Sequence, residues 1–331
     1  HYRVYGGDLH LFRCEFIARP AQLRFRLKGG VIMKIFITGG SGFVGTNLSF
    51  YLLEKGHRVI AVGTSSAHNV IRHDNFHYIS ADTTIKGGWQ HALKNVDAVI
   101  NLAGKNIFKR WSDTYKDQIY TSRILTTRNL VDAIPDKKDS ILCSTSASGY
   151  YGDRADEILK EDALPGNDFA AKVCRDWEKE AFQAEAKGVR VAVMRFGVVL
   201  GKNGGALAKM VPAFKCFAGG PLGSGLQWFP WIHMDDLNAA IMFILENPDI
   251  KGPLNFCSPN PVRNRDFSKT LGKVLNRPSV LRTPSFMIRL IMGEMGKSLT
   301  SSQRTIPDKL LKQGFKFQYP EINHALYDLV L

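Results

Sequence analysis

The chain has 331 residues, 44% of them hydrophobic and 22% charged, with 44 Lys and Arg against 30 Asp and Glu for a formal net charge of +14. That is enough to bury a sizeable core in about two domains, and no apolar run reaches the roughly 18–20 residues that a bilayer-spanning helix needs. Cys14, Cys143, Cys174, Cys216 and Cys257 never form C-x-x-C, which argues against a disulfide framework or a zinc site, and bases mixed with acids, without a zinc finger, RNA-recognition signature or basic helix, argue against nucleic acid.

These exclusions leave a cytoplasmic protein that attracts anionic small molecules, with no membrane or nucleic-acid partner and no metal. In chain order, residues 1–32 carry six Lys or Arg against two acids and show no clean period. Lys28-Gly29-Gly30 can be read back as a purine-rich ribosome-binding sequence before a start at Met33, so the segment is expected to be translated leader; a cleavable transit peptide is the alternative. Lys34 to Thr38 then reads as a strand, and Val44, Leu48, Tyr51 and Leu52 lie along one face of a helix. Between them stands GGSGFVG at 39–45. Gly40, Gly42 and Gly45 fit G-x-G-x-x-G, and Gly39, Gly42 and Gly45 fit G-x-x-G-x-x-G. Such a turn lets the backbone approach a diphosphate at the positive end of the helix.

Arg58 to Val62 is the second strand, and it ends in Gly63-Thr64-Ser65-Ser66 with no carboxylate before Asp74. A carboxylate there would bind a ribose 2′-hydroxyl and repel a 2′-phosphate, so the turn leans to NADP(H), with NAD(H) second. The missing cation falls to Arg72, His68 or a distant residue. Phe76 to Ile79 and Asp97 to Leu102 are further strands, a helix spans about 113–133, and the strand Ile141 to Cys143 opens into STSASGYYG at 144–152. A helix over about 168–186 and the strand Val189 to Phe196 complete the alternation, which predicts an α/β fold with a Rossmann-type doubly wound parallel sheet. His73 and His77 are expected to be surface residues. After Gly201 come loops rich in Gly, Pro and Trp, a helix over 235–246, and helical segments near 266–275, 284–295 and 307–313 in a smaller, mainly helical C-terminal lobe.

Together these pieces resemble the extended or atypical branch of the short-chain dehydrogenase/reductase superfamily, and within it the YfcH-like epimerase-family proteins (NAD(P)-dependent epimerase/dehydratase-like). The resemblance runs from Met33 to the C terminus on TGGSGFVG at 38–45, NLAGKNI at 101–107, SR at 122–123, SASGYYGD at 146–153, VCRDWE at 173–178, RFGVVLGKNGGAL at 195–207, GGPLGSGLQWFPWIH at 219–233 and NPVRNRDF at 260–267. It implies an NADP-binding Rossmann domain over 33–200 and a substrate lobe over 201–331, of which about 226–258 returns to the core. Carried over by motif, Gly39, Gly42, Phe43, Val44 and Gly45 meet the pyrophosphate, Gly63 and Thr64 the adenosine ribose, and Leu102, Ala103 and Gly104 the adenine or ribose side. Gln118 and Arg123 reach the cofactor from beneath. Family members commonly carry Arg where this chain has Thr64, which gives Arg123 more weight.

The superfamily's usual Tyr-x-x-x-Lys pair is missing: the corresponding helix opens GNDFAAKVC at 166–174. Tyr150 and Tyr151, with Ser146 and Ser148 nearby, are the alternative acids for a carbonyl oxygen; the other reading is that Tyr151-Gly152 packs over the nicotinamide. Trp228, Trp231, His233 and Arg195 are expected to line a substrate pocket, with Arg263 or Arg265 meeting an anion. Two functions follow. One is an NADP(H)-dependent oxidoreductase or epimerase on a small polar, sugar-like or acidic substrate; the other is a non-catalytic NADPH-binding protein that senses redox state and controls a partner. A homodimer is the expected assembly.

Overall fold

In the central strands the apolar side chains come in unbroken runs, Ile35–Ile37, Val59–Val62, Ala98–Ile100 and Val191–Met194, as strands buried on both faces require. A computed structural model describes residues 31–136 and 140–331; the leader expectation therefore lies outside the described residues, apart from Val31 and Ile32. Seven parallel strands form the central sheet: β1 Lys34–Thr38, β2 Arg58–Gly63, β3 Phe76–Ser80, β4 Ala98–Asn101, β5 Ile141–Ala147, β6 Arg190–Phe196 and β7 Gly252–Phe256. Their order is β7-β6-β5-β4-β1-β2-β3. The direction of winding reverses between β1 and β4, where a doubly wound sheet opens a crevice at the carboxyl ends of its strands.

The period of two along each strand divides the core. Ile35 and Ile37, Val59 and Ala61, Ala192 and Met194 point to one layer, which holds Leu48 and Leu52 of α1 (Phe43–Glu54). Phe36, Val62, Val191 and Val193 point to the other, which holds Leu130 of α2 (Asp113–Ala133) and Ala181 of α3 (Phe169–Phe182). Beyond β6, helix α4 is Leu207–Lys215, and α5 (Met234–Glu246) returns Leu237 and Ile241 to the first layer. The remaining helices are α6 Asn264–Leu275, α7 Ser285–Met292, α8 Glu294–Leu299, α9 Asp308–Lys312 and α10 Ile322–Val330. A third core joins Phe214 of α4, Phe267 and Leu271 of α6, Leu326 of α10 and Trp231. No helix among the described residues is long and apolar enough to cross a membrane.

Two elements differ from the sequence reading. The single helix expected over 284–295 is two, broken where Gly293 takes φ +61°. Asp168 caps α3 by accepting the Ala171 amide at 2.8 Å, and Lys172 pairs with Asp176 at 3.0 Å, one turn further along. The helix at 168–186 therefore starts one residue later and passes at residue 183 into a 3₁₀ turn ended by Gly188.

Burial pushes the Cys143 and Cys257 thiols up to about 12 and Cys174 up to about 11. In the unfolded chain the same thiols ionise near about 8.5, so above that pH the unfolded state holds fewer protons and stability falls as pH rises. Each thiol contributes a slope of up to about 1.4 kcal/mol per pH unit. Urea unfolding is expected to show a lower midpoint at pH 10 than at pH 8. A midpoint independent of pH over that range would show that the thiols are not sequestered.

Candidate active site

The turn that leaves β1 is pressed against the end of β4. Gly39 has φ +70°, and a Cβ there would lie 2.8 Å from the Leu102 carbonyl carbon and 2.9 Å from the Ala103 nitrogen. Gly45 sits in the first turn of α1, where a Cβ would lie 2.3 Å from the Gly39 oxygen. Gly42 is the N-cap of α1, and neither a side-chain cap nor an acidic residue occupies that end. The helix start thus presents unneutralised amide dipole to the crevice, and a diphosphate fits the chemistry of such a cradle. Beneath it, Thr38 donates to Asn101 at 2.6 Å, and Asn101 donates to Thr127 at 2.8 Å and Ser144 at 3.2 Å, tying together the ends of β1, β4 and β5.

At the end of β2, Gly63 is buried while Thr64, Ser65 and Ser66 are exposed. The Tyr78 hydroxyl donates to the Ser65 carbonyl at 3.0 Å and holds this turn. His68 lies 3.3 Å from Thr46 Oγ1, edge-on to Phe76 and Tyr78, and burial lowers its pKa. Burial thus disfavours the protonated ring and weakens His68 as the cation for a 2′-phosphate.

The crevice widens into a cavity of about 460 Å³. Phe43, Val44, Leu102, Gly104 and Arg123 line it, as does Ser146 at the end of β5. Arg123 donates to the Ile119 and Lys105 carbonyls at 3.0 and 3.1 Å and lies 5.2 Å from the Trp177 ring centroid. Burial lowers its pKa, and no carboxylate among the described residues pairs with it. Two carbonyls and the Trp177 ring meet its charge, and with no carboxylate among the described residues committed to it, it can meet an anion in the site. Gln118 is exposed on α2 and is not part of the cavity wall.

Several residues expected in the pocket are structural instead. The Tyr151 side chain is fully buried. Its hydroxyl donates to Asn255 at 2.7 Å and accepts from Arg195 at 2.9 Å; burial raises its pKa, opposed only in part by Arg195 and Asn255. A phenol so enclosed is not placed to protonate a ligand. Tyr150 lies outside the wall, its ring under the Arg195 guanidinium at 3.5 Å. Arg195 does not line the cavity: it forms a bidentate pair with Glu178, both distances 2.9 Å, with side-chain exposures of 2% and 6%. Burial opposes its charge, but the Glu178 carboxylate outweighs that and raises its pKa. Ser146 joins this network by donating to Glu178 at 2.6 Å, and it alone of the network's side chains borders the cavity.

Trp231 and His233 are corrected in the same way. Trp231 is fully buried in the third core. His233 is the N-cap of α5, accepting the Asp235 amide at 3.1 Å and stacking on Tyr319 at 3.8 Å; burial lowers its pKa. Trp228 does line the cavity, with its indole donating to Asp156 at 2.8 Å. Arg263 is committed to Asp156 and the Leu226 carbonyl, Arg265 lies beside Asp266, and neither borders the cavity. The sequence reading missed Glu178 and Asn255, which hold the network, and Phe108, Phe169, Met295 and Leu299, which line the cavity. Glu178 stands in the VCRDWE motif, the one signal that marked any of them.

The model of the NAD dependent epimerase/dehydratase family matches residues 35–256, and that of a domain of unknown function matches residues 283–329. An epimerase family protein SDR39U1 homolog, chloroplastic, of Arabidopsis thaliana is 41% identical over 300 residues, covering 89% of this chain and 86% of that protein. The epimerase family protein YfhF of Bacillus subtilis is 37% identical, covering 90% and 98%. Among solved structures, human epimerase family protein SDR39U1 (isoform 2) with NADPH superposes with a TM-score of 0.80 at 30% identity, covering 90% of this chain and 99% of that one. UDP-glucuronic acid 4-epimerase of Bacillus cereus with NAD, at 18% identity and a TM-score of 0.73, shares the fold. The glycine turn at the switch point, the seven-stranded parallel sheet and these likenesses agree: the chain belongs to the NAD dependent epimerase/dehydratase family.

Proposed function

We propose that this chain binds NADPH in the Gly39–Gly45 cradle and acts as an oxidoreductase or epimerase on a small carbonyl-bearing substrate held in the adjoining cavity. The observation that carries this reading is the uncapped start of α1 opening into a cavity whose wall holds the unpaired Arg123. The human relative solved with NADPH supports the choice of cofactor. So does the turn after β2, which offers hydroxyl groups and no carboxylate to a 2′-phosphate. When bound, NADPH supplies a hydride from its nicotinamide.

The chain's own part is to orient the substrate and to manage one proton. We assign that role to Ser146, the one residue of the network in the cavity wall: its hydroxyl hydrogen turns from Glu178, which Arg195 fixes, to the substrate oxygen, and a proton from solvent restores the hydroxyl. A positioned hydroxyl of this kind is worth roughly 10² to 10⁴ in rate. Ser146→Ala is expected to lower the rate of NADPH oxidation with responsive carbonyl compounds by about 100-fold, at the low end of that range, with NADPH affinity unchanged. An unaltered rate would remove Ser146 from the mechanism.

A second reading, an NADPH-occupied regulatory protein without turnover, draws on the missing Tyr-x-x-x-Lys pair and on the enclosure of Tyr151. Assaying NADPH oxidation against a panel of aldehydes and ketones separates the two. Tight NADPH binding with no oxidation across the panel would favour the regulator.

A further inference from the structure

Taking the cavity as the substrate site of that reading, we infer that its substrate is a flat, apolar compound carrying at most one negative charge, and not a nucleotide sugar. The walls are aromatic on several sides: Phe108 and Trp111 come from the segment after β4, Phe169 from the start of α3, and Trp228 and Phe229 from the loop before α5. Trp111 and Phe169 meet edge to face at 5.3 Å. Met295 and Leu299 of α8 add aliphatic surface, and the start of α8 is tied to the segment after β4 by the Trp111–Gly293 bridge and to α2 by Lys116–Glu294 at 2.9 Å. Aromatic faces of this kind reward planar apolar ligands by stacking and by removing apolar area from water. A sugar would have to turn its hydroxyl groups to the polar part of the wall, Asn106, Gln227, Ser298, Ser301 and Gln303, since each hydroxyl is costly to bury against the aromatic faces without a partner.

Charge points the same way. A nucleoside diphosphate carries at least two negative charges, which backbone amides or cations have to meet. The cations in the wall are Lys105 and Arg123, and Arg123 already donates to two backbone carbonyls. The arginines of the C-terminal segments are turned to other work: Arg263 pairs with Asp156, and Arg263 and Arg304 each lie 4.5 Å from the Trp228 ring centroid. On the reading that the bound dinucleotide draws on Arg123, Lys105 is the remaining cation of the wall, which suits a substrate with a single carboxylate. The aromatic share of these walls favours such a compound over the sugar-like substrate expected from the sequence.

The test uses the full chain, with 2-acetonaphthone and UDP-glucose as probes, read by quenching of tryptophan fluorescence and by calorimetry, with and without saturating NADP⁺. The expected result is saturable binding of 2-acetonaphthone, weakened about tenfold or more by Leu299→Asp, and no heat from UDP-glucose. Phe108→Ser, at a half-buried loop position, serves as the second variant if Leu299→Asp does not fold. Heat from UDP-glucose would overturn the inference, as would 2-acetonaphthone binding that neither variant weakens, or its failure to bind a chain that does bind NADP⁺. Should NADP⁺ itself give no heat, the cofactor reading fails, and the titration without NADP⁺ still decides the character of the cavity.

Discussion

Replacing Arg195 by alanine is expected to cost about 3–5 kcal/mol of stability, because it leaves the Glu178 carboxylate charged, buried and without its partner. The neighbours amplify the loss. Tyr151 loses the donor to its hydroxyl oxygen, and the Glu161 carbonyl loses the Arg195 bond at 3.0 Å. For a chain of this size such a loss lowers the melting temperature by roughly 4–8 °C. Glu178→Gln spares the shape but strands the guanidinium, so a loss of similar sign is expected. The double replacement Arg195→Met with Glu178→Leu removes both charges together and should be less damaging than Arg195→Ala, since a buried pair contributes little net stability relative to apolar residues of the same volume. Thermal and urea unfolding of the three variants check this. If Arg195→Ala unfolds with the wild type, the network is not the strut it resembles.

Gly45→Ala is expected to lower NADPH affinity on the order of 100-fold while the sheet remains folded. The reason is steric. The added methyl would sit 2.3 Å from the Gly39 oxygen and 2.8 Å from Gly40 Cα, and both contacts are backbone, so the turn itself has to open. Opening it misaligns the amides at the start of α1 that the diphosphate would use. Titrations that follow NADPH fluorescence, alongside circular dichroism, separate lost binding from lost fold. Equal affinity in the variant would mean that the phosphates lie elsewhere.

How much of this was legible beforehand depends on what kind of signal each element carries. Strands such as Val191–Met194 are buried on both faces and read as unbroken apolar runs, and the turn at 39–45 announces itself by its glycines. Strand β7 was harder, since GPLNF opens with Gly-Pro and spans five residues, yet its pairing with β6 completes the sheet. Helix α10 carried a readable period at Ile322, Ala325, Leu326 and Leu329 that the sequence reading did not take up. The site itself was less legible, because periodicity does not tell which way a loop residue turns. Trp228 and Trp231 stand three apart in WFPW, but one lines the cavity and the other fills the third core. Arg195 and Arg123 look alike in sequence; only the fold gives the first a carboxylate and the second none. The α8 side of the cavity arises from tertiary contact with Trp111, which leaves no local trace.

The account rests on the glycine turn holding a dinucleotide diphosphate. Calorimetric titration of NADPH and of NADH into the folded chain tests it most directly. One site per chain is expected, with NADPH bound at least about tenfold more tightly than NADH, a difference of about 1.4 kcal/mol. Absence of heat with both dinucleotides would contradict the account at its base.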